Sequence, residues 1–252
     1  MATTIIISKT ITIFALITKD YRKLMPKIRT LVLKFDNNLL FSEIPKFRGA
    51  VIASLEQKDI LYHNHDENGV IYKYPRIQYK RLQQKAAIIC IKEGVEAIHE
   101  LFTSGNFTYH IGGREEEMHI LSVNTYDTGL DFCDNMKSYR LHNWLPLNSD
   151  NYKEYQSLER LADKVTFLEK KLVGNLLSFF TSIGFRANEQ IKLNITNILD
   201  QRLAKYKNVK LMAFDVEFKA NLNLPSYIGI GKSASIGFGT LTRIKNNKQL
   251  YL

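Results

Sequence analysis

Residues 70–82, VIYKYPRIQYKRL, alternate apolar with polar side chains and carry a proline in their middle. Alternation of this kind reads as a half-buried strand. Proline cannot donate to a ladder, so a strand that holds Pro75 belongs at the edge of a sheet. Upstream, residues 28–35 (IRTLVLKF) are rich in β-branched and apolar side chains and predict another strand. Between the two, Pro45 is placed to open a helix, where its missing N–H costs nothing. Phe47, Val51, Ile52 and Leu55 then fall on one helical face. Downstream, residues 85–92 form a nearly continuous apolar run and read as a strand. Val95, Ile98, Leu101 and Phe102 make a short helix, and residues 107–123 hold a further strand, with a hairpin around Gly112-Gly113. Strand, helix, strand, strand, helix, strand is the ferredoxin-like order, shared with RNA-recognition domains. Its second strand lies at the sheet edge, where Pro75 needs it.

The second half repeats the order without repeating the sequence. Residues 139–147 read as a strand and residues 151–182 as one long helix. Its stripe is Leu158, Leu161, Val165, Leu168, Leu172 and Leu176, at three- and four-residue spacing. Strands follow over 185–198 and 209–224, then glycine-rich chain, then a last strand over 238–244. The expectation is an α+β fold of two tandem ferredoxin-like domains with antiparallel sheets. Residues 27–136 form the first domain and residues 137–252 the second, with residues 1–26 as an extension. Within that extension Ser8, Lys9, Thr10 and Thr12 interrupt the isoleucine runs. The stretch is too short and too polar for a membrane helix and lacks the marks of a secretory signal.

Lys+Arg number 35 against 25 Asp+Glu, a net charge of +10 and a pI of about 9.4. Such an excess favours a polyanion by counterion release. The 13 Tyr and 14 Phe supply rings on which unpaired bases can stack. Only Cys90 and Cys133 carry thiols, which excludes a disulfide framework and a four-ligand zinc site. Cys90 lies in an apolar run and reads as core, and a reducing cytoplasm is the natural compartment.

Two segments carry candidate chemistry. Residues 229–239 read GIGKSASIGFG, and glycine lets backbone amides come close to a phosphate. A P-loop is excluded, because the glycine it needs is Ser226. The partial dinucleotide fingerprint at Gly229, Gly231 and Ala234 has too little chain after it. A tight turn without a ligand and a loop that touches RNA both remain open. In the second segment, Tyr62-His63-Asn64-His65-Asp66, two imidazoles can supply a base and an acid near neutral pH. RNA brings its own nucleophile, the 2′-hydroxyl. A His-x-His can also bind zinc, but His99, His110, His119 and His142 are scattered and complete no ligand set.

Three stretches together resemble the CRISPR-associated repeat-processing endoribonuclease family, the sixth CRISPR-associated protein. YIGIGKSASIGFG over 227–239 resembles its C-terminal glycine-rich loop, and IPKFRGA over 44–50 its first-helix entry. LYHNHD over 61–66, followed by KYPRIQYK over 73–80, resembles the active-site loop and next strand of a subgroup with paired histidines. The resemblance implies RNA held across two ferredoxin-like domains, no cofactor, and cleavage without a metal to a 2′,3′-cyclic phosphate and a 5′-hydroxyl. It implies acid and base roles for His63 and His65, with Tyr72 as third member and Tyr74 as its substitute. Lys46 and Lys58 are the candidates for a supporting lysine. RNA contact is assigned to Lys46, Arg48, Lys58, Gly229, Gly231, Lys232, Ser233, Ser235, Gly237 and Gly239. The partner implied is CRISPR repeat RNA; an interference complex and a second copy of the chain are left open. A non-catalytic RNA-binding subunit of the same fold is the alternative.

Overall fold

A computed structural model describes residues 27–55, 60–63, 65–66, 69–70, 74–105, 107–206 and 209–244. The extension expected over 1–26 lies outside them. Strand β1 (Lys27–Asn38) occupies the interior of the first sheet, whose order is β4-β5-β1-β8. Its partners are β4 (Ile77–Leu82), β5 (Lys85–Ile91) and β8 (Ile120–Gly129), and every neighbouring pair is antiparallel. Alternation along β1 sends Leu31, Leu33 and Phe35 to one face and Ile28 and Val32 to the other. The first face is covered by helix α1 (Ile44–Ser54), with Phe47 and Val51 wholly buried against it. Pro45 stands in the first turn of α1, as the sequence predicts.

Several elements differ from the sequence reading. Among the described residues of 70–82, Ile77–Leu82 joins the sheet, at its edge. Gly69–Val70 instead forms β3 and pairs with β2 (His65–Asp66). Tyr74 leaves the strand line and packs its ring 4.9 Å from that of Phe179. Helix α2 (Ile60–His63) precedes this small ladder. The helix expected around 95–102 is two short ones, α3 (Gly94–Ala97) and α4 (His99–Ser104), which part at the buried Ile98. The hairpin at Gly112-Gly113 forms from β6 (Thr108–Ile111) and β7 (Arg114–Glu117).

In the second half, β9 (Phe132–Trp144) lies between β11 (Val209–Leu222) and β12 (Thr240–Arg243), and β10 (Leu193–Tyr206) borders β11. The order β10-β11-β9-β12 is again ferredoxin-like, with the last helix reduced to a 3-10 turn, Ala234–Ile236. The predicted long helix is broken. Helix α5 (Ser149–Ser157) starts under an Asn148 side-chain cap, with the Asn151 N–H donating at 2.8 Å. Leu158 then turns extended and packs on the core, and α6 (Leu161–Ser182) begins anew. Leu161 is consequently exposed, and the buried stripe is Leu168, Leu172 and Leu176. Each of these three contributes roughly 1.5–3 kcal/mol by leaving water. Strand β10 starts later than expected, because Phe185 turns back onto the Phe180 ring at 4.8 Å.

The halves share a core. Ile28, Val32, Ile89 and Ile91 of the first sheet belong to the same apolar cluster as Leu168, Leu172 and Phe179 of α6. Arg76 and Lys92 meet the C-terminal end of α6, donating to the carbonyls of Ser182 at 2.9 Å and Ile183 at 3.0 Å. Cations there complement the negative end of the helix dipole. Among the described residues, no helix is long and apolar enough to cross a membrane.

Candidate functional site

The histidine segment is entered from a fixed point. Tyr62, one residue before His63, is buried in the first core, and its hydroxyl donates to the Ala97 carbonyl at 2.8 Å. A buried tyrosine with its polar end satisfied anchors a chain well. His63 ends α2 and His65 pairs with Val70 across the β2–β3 ladder. The side chains of His63 and His65, and all of Lys58 and Tyr72, lie outside the described residues. Tyr74, the substitute third member, is occupied elsewhere: its hydroxyl donates to the Gly229 carbonyl at 2.8 Å, and burial pushes its pKa far up. Lys46 is exposed on α1 beside the β6–β7 hairpin, where Arg114 and Glu43 pair at 2.6 Å. Arg48 is half-buried, and its charge acts on the Tyr79 hydroxyl inside the helix–sheet core.

The glycine-rich segment is gripped by the first half of the chain. Gln78 of β4 accepts the Gly229 N–H at 2.8 Å, and Lys80 of β4 donates to the Ala234 carbonyl at 3.0 Å. Gly229 fits here because a Cβ would lie 2.6 Å from the Ala234 Cβ and 2.8 Å from the Lys80 Nζ. Phe238 meets Phe41 edge-on, with centroids 5.1 Å apart. Gly229, Gly237 and Gly239 are buried, so packing fixes their place, and Gly237 also lines the cleft between the sheets. The segment meets solvent at exposed Lys232 and at half-buried Gly231, Ser233 and Ser235.

Beside this turn a cleft of about 760 Å³ opens between the two sheets. Lys34, Arg81 and Arg202 bring three positive charges to its lining and Asp215 one negative. Arg202 is oriented by contacts to Asn143 and Asp200 and by Asp215 at 3.3 Å. Burial holds His142 of the same wall below its ordinary pKa despite Asp215 alongside. Tyr126 and Tyr227 offer aromatic surface there. Cations with rings between them can hold a phosphate backbone and stack bases.

Both halves match models of one family. The model for the Cas6b N-terminal domain matches residues 26–128, and that for the Cas6b C-terminal domain matches residues 131–244. The chain belongs to the Cas6b family. A crystal structure of Cas6b superposes on it with a TM-score of 0.78, at 27% identity, over 87% of this chain and 100% of that one. A second, of the CRISPR RNA processing endoribonuclease Cas6b, gives a TM-score of 0.67 at 27% identity over the same shares. An uncharacterized protein of Methanocaldococcus jannaschii is 38% identical over 114 residues, 45% of this chain and 76% of its own length. The CRISPR-associated repeat-processing family read from the sequence is the right one, and so is the tandem ferredoxin-like fold.

Sequence reasoning missed Tyr62, Gln78, Lys80, Arg81 and Arg202. Gln78 and Lys80 alternate with Ile77 and Tyr79, a pattern that ordinarily sends polar groups to water. Here the second half covers that face, and all four side chains are buried. Tyr62 carried a usable signal, an aromatic between Leu61 and the first histidine.

Proposed function

We propose that this Cas6b-family chain is an endoribonuclease that cuts CRISPR repeat transcripts into guide RNAs without a metal ion. Family membership over both halves carries the reading, joined to two imidazoles at positions 63 and 65. One imidazole takes the proton of the 2′-hydroxyl next to the scissile phosphate. The O2′–P bond forms, the P–O5′ bond breaks, and the other imidazolium protonates the leaving 5′-oxygen. The products are a 2′,3′-cyclic phosphate and a 5′-hydroxyl. Tyr72 is the third member of the site, and Lys58 or Lys46 steadies the charge on the phosphorane. Lys34, Arg81, Arg202 and Lys232 hold the RNA backbone across the halves. Incubation with repeat RNA in excess EDTA should leave cleavage intact, with both end groups read by mass spectrometry. Cleavage lost in chelator and restored by magnesium would reject the metal-free step. Tight binding without cleavage would leave a non-catalytic RNA-binding subunit.

Lys232→Ala should weaken RNA affinity and lower the slope of log Kd against log salt by about 0.7–0.9, one phosphate contact. Lys232 is exposed, so the fold has no need of its charge. An unchanged slope would confine the turn to packing.

A further inference from the structure

Strand β4 holds the glycine-rich turn through Gln78 and Lys80, Tyr74 just before the strand adds a third side chain, and the histidine segment precedes all three in sequence. Both backbone polar groups of Gly229 are taken: Gln78 accepts its N–H and Tyr74 donates to its carbonyl. Two residues beyond Gln78, Lys80 is fully buried and donates to the carbonyl of Ala234, the first residue of the 3-10 turn. Lysine is almost never fully buried without a carboxylate partner. Among the described residues no ion pair involves Lys80, and its ammonium group donates to the Ala234 carbonyl. Neither reason by which a protein usually keeps a buried lysine is met, neither a salt bridge nor a solvated head. What the position does is join the two halves at the one turn from which Lys232 and Ser233 reach solvent.

We propose that Gln78 and Lys80 are positioning residues, which lock the Gly229–Ile236 turn to the strand that follows the histidines and so keep the phosphate-holding and proton-transferring segments in one register. The proposal rests on the endoribonuclease reading for its consequence in cleavage, and on geometry alone for the anchor. Desolvation lowers the pKa of Lys80 to about 7, with no charge acting beside it. Across the strand pair it faces Ala87, whose neighbour on β1 is Lys34. The turn above it, Ala234, Ser235 and Ile236, carries no titratable group, and Lys232 before it is exposed. The folded pKa is lower than the unfolded value of 10.5. The folded state therefore binds fewer protons between about pH 7 and 10.5, and the anchor strengthens as pH rises through that window.

The test is Lys80→Met, which fills the same space and removes the donor. Two measurements are made on the full chain: hydrogen exchange at Gly229 and Ile236, and single-turnover cleavage of repeat RNA from pH 6 to 9. In wild type, protection of these amides, corrected for intrinsic exchange, should rise from pH 7 to 9. In the variant it should fall about tenfold and lose that rise, while amides of β1 and β5 keep theirs. The maximal cleavage rate should drop about tenfold with the RNA concentration for half-maximal rate changed less than twofold. Equal protection in both proteins, or a loss spread over the whole chain, overturns the proposal. If wild type binds but does not cut, the endoribonuclease reading fails, and the exchange measurement still decides the anchor.

Discussion

The double variant His63→Ala, His65→Ala should abolish repeat cleavage while leaving RNA affinity within about twofold of wild type. Removing one general acid or base usually costs about 10²–10⁴ in rate. Two groups that act in one proton circuit are not additive, so the pair should cost little more than the worse single variant. The expected loss is on the order of 10³–10⁴ in single-turnover rate. Affinity should survive because the charges proposed to hold the RNA backbone, Lys34, Arg81, Arg202 and Lys232, are left in place. Each single variant should also turn a bell-shaped pH profile centred near the imidazole pKa, roughly 6.5, into a one-sided one. The variant that keeps its rising limb retains the base. Wild-type cleavage in the double variant would remove both residues from the site.

Gly239→Ala should be the most damaging single change in the turn. Gly239 has φ of +60°, where a non-glycine residue costs about 1–2 kcal/mol. A Cβ would also lie 1.9 Å from the Ile230 carbonyl oxygen and 2.9 Å from its carbon. Both are backbone atoms, and the same contact is tied by the Ile230 N–H donating to the Gly239 carbonyl at 2.7 Å. The Gly239 N–H is in turn committed to the Asn143 carbonyl at 3.1 Å. The clash is therefore relieved only by opening the turn. The expected loss is about 4–5 kcal/mol, the range reserved for strain and broken networks. In a chain of this size that lowers Tm by roughly 10 °C or more. A melting curve within about 2 °C of wild type would show that the turn yields freely and does not lock the halves.

Legibility in the sequence followed how local the cause was. Pro45 opening α1 is a backbone effect within one residue and is realised; β4 does lie at the sheet edge, but Pro75 stands before it rather than inside it. The strand orders followed from element order alone. The break at Leu158 was hidden because its leucine keeps the helical spacing; it leaves the helix for a contact with a core built from distant chain. Gln78 and Lys80 were missed for the same reason, since their burial depends on a covering half that local alternation cannot announce. The glycine-rich segment gave two readings at once, and its packing accounts for Gly229, Gly237 and Gly239 while Lys232 stays at the surface. For the proposed catalytic residues the histidine pair was the whole signal, and the resemblance rather than any spacing rule gave it roles.

The second ferredoxin-like unit has only three residues, Ala234–Ile236, where a full final helix would stand. The segment that carries this turn is held by Gln78 and Lys80 of the first unit's edge strand and by Tyr74 just before that strand. Neither unit is therefore an interchangeable module. Chimeras between relatives that swap one half to change RNA preference would have to carry β4 together with its matching turn, so the two halves can only diverge as a pair.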